Sequence, residues 1–413
     1  LRIAYLFQQT GFRLDAHGGP IVHIKAILHH LQQAGHEVTF VAFKSARKVS
    51  CTEGLTNERE ARLGFTNHRI FKGFESAVRR GQKLLRLPYL ALFDSLRFYD
   101  ACLHTLKGYA VFHERFSRLS VGGAWAARRL RVPLVLEVNA DILDEWDSFG
   151  QGIQGFPRLV VRWASAFCFR QAAAIVAVSD PLKAHLVRAW NLPAEKIIVL
   201  PNGADIERFK PHADPQSVRT SLGVDDAPSA IFVSGFYPWH ASLELVESFA
   251  LVHQQIPAAR LYMVGDGQMR AQTETYARQG GLENAVSFVG TVPHEQIPAW
   301  LTVADVAVMP YPKMAKELWF SPLKMYEYMA AGKAIVASRA GQIAEVLQDG
   351  ETGVLVEPGD TQGLAQALIR LLNDQNERHR LGMNARQQAV EQHSWAQYAR
   401  KLETLYRKVL EGG

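Results

Sequence analysis

Short apolar runs alternate with longer stretches of helical spacing from one end of the chain to the other. Residues 3–7, 37–43, 111–115, 134–138, 174–178 and 197–200 read as buried strands of the first half. Residues 230–234, 260–264, 286–289, 306–309 and 334–338 repeat the pattern in the second. Helical periodicity fills the gaps, over about 20–34, 121–130, 243–253 and 393–410. Strands that alternate with helices predict an α/β fold with two parallel sheets. Residues 206–228 hold Pro211, Pro215, Gly223 and Pro228 with little periodicity, and read as a linker. Residues 44–110 are less regular. There Arg79, Arg80, Lys83, Arg86 and Arg97 interleave with leucines, and Pro88 divides the stretch into two helices. Such a basic amphipathic pair either covers a sheet with its arginines snorkelling or lies on a membrane.

In open parallel sheets, ligands sit beyond the carboxyl ends of strands. That rule selects Glu114, Arg115 and Asn139. Gly18 and Gly19 follow the first strand, where two glycines let backbone approach a ligand closely. Neither this turn nor Gly265-Asp266-Gly267 completes the GxGxxG dinucleotide fingerprint, which argues against an NAD-dependent oxidoreductase.

The most informative stretch is 321–333, SPLKMYEYMAAGK. Ser321 is expected to cap a helix whose first position is Pro322. The backbone N–H groups of Leu323 and Lys324 then point out of the positive helix end, a ready phosphate site. Lys324 adds a full charge. Glu327 lies three residues on, on the same helix face, placed to accept from ribose hydroxyls. Gly332 is expected to close the helix.

Charge adds a second difference between the halves. The chain of 413 residues carries a formal net charge of +6. The first 200 residues are basic and the remainder acidic, which suggests an anionic membrane or acceptor for the first half. Cys51, Cys102 and Cys168 lie far apart, with no metal or disulfide spacing, and read as buried small side chains in a reducing, cytoplasmic compartment. The start is too short for a signal peptide and reads as a first strand. No sequence feature points to nucleic acid.

The order of several motifs resembles the retaining, nucleotide-sugar-dependent glycosyltransferases of the GT-B fold. These are Pro201-Asn202-Gly203-Ala204-Asp205, Val264-Gly265-Asp266-Gly267, Ala304-Asp305-Val306, the stretch 321–333, Gly341 to Val346 and Asp349 to Val356. The resemblance implies two Rossmann-like domains facing a cleft. The acceptor-side domain would be 1–205, the linker 206–228, the nucleotide-sugar domain 229–392, and 393–413 a helix crossing back to the first domain.

The resemblance also implies roles. Glu327 matches the second Glu of the family's Glu-x7-Glu motif. The first Glu is replaced by Trp319, and Glu317, two residues off register, becomes the candidate to hold the donor sugar. Gly235 and His240 stand where the family has Arg and Lys, so His240 would supply a cation to the diphosphate. Gly18, Gly19, Gly235, His240, Ser321, Pro322, Leu323, Lys324 and Glu327 would bind the donor. Glu114, Arg115 and Asn139 would line the acceptor side, with Glu317, Asn139 and His240 acting in catalysis.

Members generally react on one face of the sugar without an enzyme nucleophile, so the resemblance implies none. The chain has no Asp-x-Asp, so no metal is expected, and no cofactor beyond the nucleoside-diphosphate-sugar co-substrate, a UDP-sugar first. The acceptor would be a glycan, a lipid-linked sugar or a small molecule. Cytoplasmic placement, peripheral on the inner face of a membrane, fits the basic first half. A nucleotide-sugar 2-epimerase and a non-catalytic sugar-binding relative are the alternatives.

Overall fold

The structure, a computed structural model, describes residues 1–10, 12, 14, 18–45, 47–84, 91–148, 154–212, 214–314 and 318–412. The chain divides into two compact units, Leu1–Pro201 with Tyr398–Gly413, and Asn202–Gln397. Among the described residues the first unit is built on an eight-stranded sheet and the second on a six-stranded one.

In the first unit, β1 (Arg2–Thr10) leads through α1 (Gly19–Gln33) to β2 (Glu37–Ser45). Two strands not expected from the sequence, β3 (Lys48–Glu53) and β4 (Asn57–Glu60), extend the edge in antiparallel fashion. β4 exposes every residue, Asn-Glu-Arg-Glu, and has no apolar alternation for a sequence reading to find. Helices α2 (Arg69–Leu84) and α3 (Leu92–Thr105) follow; Pro88 lies outside the described residues. The parallel half then runs β5 (Val111–Arg115), α4 (Val121–Leu130), β6 (Leu134–Val138), α5 (Ile142–Ser148), α6 (Phe156–Gln171), β7 (Ala174–Ala177), α7 (Asp180–Trp190) and β8 (Ile197–Val199). Strand order is β4-β3-β2-β1-β5-β6-β7-β8. Ser179 caps α7 by accepting from the Leu182 N–H at 3.2 Å. All three cysteines are buried and free.

The second unit begins earlier than its strands. The stretch read as a linker belongs to it: Phe209 is buried in its core, and 215–222 form α8 (Pro215–Leu222), capped by Asp214. The helix is eight residues long, begins at a proline and buries only Val218, so it carries too little periodicity to be marked in the sequence. The unit continues through β9 (Ser229–Val233), α9 (Ser242–Gln255), β10 (Arg260–Val264), α10 (Arg270–Gln279), β11 (Val286–Gly290), α11 (Ile297–Val303) and β12 (Val306–Met309). It closes with α12 (Leu323–Ala330), β13 (Ala334–Ser338), α13 (Gly341–Val346), β14 (Val354–Val356), α14 (Thr361–Asn373) and α15 (Gln375–Gln392). The order β11-β10-β9-β12-β13-β14 is parallel throughout. Ile231, Ala307 and Ile335 face one core layer, and Phe232, Val308 and Val336 the other, so the strands are apolar on both sides. The last helix, α16 (Trp395–Glu411), joins the first unit from Tyr398 onward.

One close approach fixes the back of α12. Gly382 in α15 lies where an added Cβ would sit 2.1 Å from the carbonyl oxygen of Gly332. Gly382→Ala is therefore expected to lower stability by about 2 kcal/mol or more, read as a reduced melting temperature. Gly73, in α2, has nothing within 4 Å of its would-be Cβ, and Gly73→Ala should leave stability unchanged or raise it by up to about 1 kcal/mol.

Candidate functional site

In the second unit the site grows from the start of α12. Ser321 does not cap it. The helix begins at Leu323 with Pro322 in the capping position, and no side chain caps it. The Ser321 hydroxyl is turned inward. It accepts from the Asn202 N–H at 2.9 Å and lies 3.3 Å from the Tyr326 hydroxyl, which donates to Gln342 Oε1 at 2.9 Å. The Asn202 amide donates to the Ser321 carbonyl at 2.6 Å. This buried chain clamps the turn before the helix. The first internal bond runs from the Met325 N–H to the Pro322 carbonyl at 3.1 Å. Among the described residues, the N–H groups of Leu323 and Lys324 have no hydrogen-bond acceptor. At the far end Gly332 closes the helix with φ +66, as expected.

Lys324 reaches over the end of β9. Its ammonium donates to Ser234 Oγ at 2.6 Å and lies 5.6 and 5.4 Å from the ring centres of Phe232 and Tyr311. The residue keeps some exposure, but its charged tip is enclosed. Burial alone pushes its pKa down to about 7, because no described carboxylate offsets it.

His240 stands beside it, with Nδ1 2.6 Å from the Gly235 carbonyl and 2.9 Å from Ser234 Oγ. A carbonyl only accepts, so Nδ1 carries the proton. Burial first, and then the Lys324 ammonium, push the imidazole pKa down to about 3. The expectation of His240 as a cation is corrected: the ring is neutral, and the positive charge here is that of Lys324. The stacked rings of Tyr237 and Trp239, 4.9 Å apart, form the outer part of this turn. Gly235 adjoins it, where a Cβ would strike the Tyr237 ring at 2.6 Å.

Glu327, one turn into α12, is buried. Its Oε1 lies 2.7 Å from His294 Nε2, and its Oε2 has no partner among the described residues. Burial opposes a charge on His294, but the Glu327 carboxylate outweighs it and raises the imidazole pKa. Phe209 packs on the His294 ring at 5.3 Å. Thus Lys324, His240, Gly235 and the open N–H groups gather at one end of α12, with Glu327 a turn deeper. Glu317 lies outside the described residues.

In the first unit, Glu137 is the hub. It is wholly buried, and five side chains converge on it. Arg115 Nη1 (2.5 Å), Asn139 Nδ2 (2.7 Å) and His23 Nε2 (2.9 Å) approach Oε1, while the Tyr5 hydroxyl (2.9 Å) and His113 Nε2 (3.1 Å) approach Oε2. Burial opposes its charge, but His23, Arg115 and His113 more than reverse this and hold the carboxyl well below its ordinary range. The hub fixes Arg115 and Asn139 at the strand ends. Through His23 it also pins α1, whose exposed N-terminal turn holds Gly18, with φ +134, and Gly19. Tyr406 of α16 joins through His113 Nδ1 at 2.7 Å.

Glu114 points the other way, as strand alternation requires. It is wholly enclosed, with Gln8 donating to it at 2.5 Å and the α4 glycine Gly123 against it. The expectation that Glu114 lines the acceptor side is corrected: no ligand reaches a side chain sealed in the core. Ser234, His294, Asn202 and Glu137 were missed by sequence reasoning. Asn202 stood inside a quoted motif; the other three carried no local signal.

Two parallel-sheet units of this kind, with a helix start open to anions, define a GT-B-fold protein. A "Glycosyltransferase Family 4" model matches residues 17–208, and a "Glycosyl transferases group 1" model matches residues 227–374. The chain has the GT-B fold, and its two halves are related to these two glycosyltransferase families. It is 27% identical over 254 residues to an alpha-D-kanosaminyltransferase of Streptomyces kanamyceticus, covering 60% of this chain and 64% of that one. The chain spans less than two thirds of the length of the first curated relatives it matches. Among solved structures, a sucrose-phosphate synthase from Thermosynechococcus elongatus superposes with a TM-score of 0.71 at 21% identity, over 100% of both chains. Anabaena HepE in complex with UDP-glucose gives 0.69 at 21% identity, over 97% of this chain and 99% of that one. At such identities the likeness is one of fold.

The buried Glu114 generates a test of its own. Burial raises its pKa from 4.5 to about 8, against the Gln8 hydrogen bond. The folded state keeps a proton that the unfolded state releases. Stability from this group is therefore full below about pH 4.5 and declines up to about pH 8, by at most about 1.4 kcal/mol per pH unit. Glu114→Gln should flatten that slope in urea unfolding followed across pH. An unchanged slope would show that the carboxyl is already ionised in the fold.

Proposed function

We propose that the chain transfers a sugar from a nucleoside-diphosphate sugar, a UDP-sugar first, to a glycan, lipid-linked or small-molecule acceptor, with retention and without a metal. The observation that carries the reading is an enclosed ammonium with no described carboxylate partner, beside two open N–H groups at a helix start. Such a place suits a diphosphate better than any neutral ligand. In this reading the Leu323 and Lys324 N–H groups and the Lys324 ammonium hold the diphosphate and stabilise the charge it gains as the sugar leaves. Glu327, oriented by His294, accepts from the ribose hydroxyls. The neutral His240 offers Nε2 as an acceptor, which suits a sugar hydroxyl rather than a phosphate. Glu317 keeps its proposed role towards the donor sugar. Gly18, Gly19, Arg115 and Asn139 serve the acceptor side, with Asn139 held by Glu137. The same reading puts the enzyme in the cytoplasm, against an anionic membrane through its basic first unit.

A panel of nucleoside diphosphates in a thermal-shift assay tests donor binding: one should raise the melting temperature through linkage, the others less. A protein unmoved by all of them would overturn the reading. Lys324→Met and Glu327→Ala should each abolish that shift and lower transfer severely, with melting of the free protein preserved. Proton counting separates charge from packing. With its pKa near 7 in the free protein, Lys324 takes up a proton when a diphosphate raises that value. Calorimetry at pH 8 in buffers of different ionisation heat should show net proton uptake, absent in Lys324→Met. Affinity should fall by at most about tenfold per pH unit above the free value.

A further inference from the structure

Ring contacts tie four helices of the first unit into one layer. Phe74 of α2 meets Phe93 of α3 at 5.9 Å, Tyr99 of α3 meets Trp125 of α4 at 6.3 Å, and Trp125 meets Phe167 of α6 at 6.5 Å. The outside of this layer is unusually apolar. On α2, Ile70, Phe74 and Leu84 are 87%, 63% and 84% exposed, at spacings that put them on one stripe. On α6, Phe156, Leu159 and Trp163 repeat the arrangement at i, i+3 and i+7. Helices that turn apolar side chains outward as well as inward are built to be covered.

Charge says by what. Arg69, Lys72, Arg80 and Lys83 run exposed beside the α2 stripe, and Arg162 beside that of α6. Between the stripes, Arg128 and Arg129 line a cavity of ≈ 560 Å³ with Trp125, Tyr99 and Leu96. None of the four helices exposes a carboxylate. Glu75 is buried with Arg97 at 2.6 Å, Asp100 is buried against Thr66, and Asp94 pairs with Arg79. The acidic neighbour Asp147 is taken by Arg158 at 2.8 Å. Among the described residues no helix is long and apolar enough to cross a membrane.

We infer that this four-helix face lies flat on an anionic lipid bilayer, the α2 and α6 stripes entering the headgroup boundary and the arginine-lined cavity taking a lipid phosphate. Exposed aromatic and aliphatic side chains bordered by Lys and Arg are what the bilayer interface selects. A protein partner of matching chemistry would need a broad acidic and apolar face, and the second unit's acidic balance makes a second copy the rival occupant. The inference names the surface behind the peripheral placement suggested above, and it stands on that surface alone, not on the transfer reaction.

Flotation of the full chain with vesicles tests it. Binding is expected to phosphatidylcholine vesicles containing about a third phosphatidylglycerol, not to phosphatidylcholine alone, and to fade as salt rises towards about 1 M. The exposed double variant Phe74→Ser/Trp163→Ser should reduce partition roughly tenfold or more. Arg128→Ser and Arg129→Ser should cost roughly fivefold each. All variants should melt like the parent and keep its nucleoside-diphosphate shift, so a failed donor reading and a failed membrane reading remain distinct. Equal binding to both vesicle types, variants that partition like the parent, or a parent that ignores vesicles but dimerises through these residues in light scattering would each overturn the inference.

Discussion

The second unit depends on a cation enclosed with no counter-charge among the described residues. Taking an ammonium out of water is costly unless something meets it, and among the described residues Lys324 is met only by a hydroxyl and two ring faces. Burial lowers its pKa for that reason. The surrounding packing must therefore hold the side chain there. The Asn202–Ser321–Tyr326–Gln342 chain does so from the helix start, and the Gly382 crossing does so from behind. A fold that relaxed at either point would let the lysine swing to water and lose its pull on an anion.

The first unit meets the same physics with the opposite sign. Glu137 is as enclosed as any side chain in the molecule, yet it is saturated with donors. A satisfied carboxylate binds nothing more; it orients what surrounds it. Arg115 and Asn139 share one of its oxygens, so the same carboxylate orients both side chains. The Asn139 amide group spends its N–H on Glu137 and keeps its carbonyl for other use. One unit thus keeps an unmet charge, and the other uses a fully met one to fix its neighbours.

What the sequence made legible follows from what is local. Parallel strands buried on both faces appear as apolar runs, and Ser179 and Gly332 were readable as helix ends because caps act within a few residues. The exposed edge strand β4 and the proline-started α8 were not, since neither carries the periodicity that reading relies on. In the site, the positive helix end, Lys324 and Glu327 were legible within thirteen consecutive residues. His294, Ser234 and Glu137 were not, because each acts chiefly on partners far from it in the chain. Glu114 was misread for a simpler reason: strand alternation sends it into the core, on the opposite face from its neighbour Arg115.

The misplaced cap is the most instructive departure. Had Ser321 capped the helix as its position suggested, its hydroxyl would have accepted one of the N–H groups at the helix start and dulled the positive end. Asn202 instead draws that hydroxyl inward, and the capping position falls to Pro322, which has no side-chain acceptor to offer. The N–H groups of Leu323 and Lys324 stay open as a result. A rule that serves stability was broken at the place where we propose that an anion binds, and the buried hydrogen bonds of the clamp offset the missing cap. The open helix end and the motif that holds Asn202 are therefore structurally coupled, although well over a hundred residues separate them in the chain.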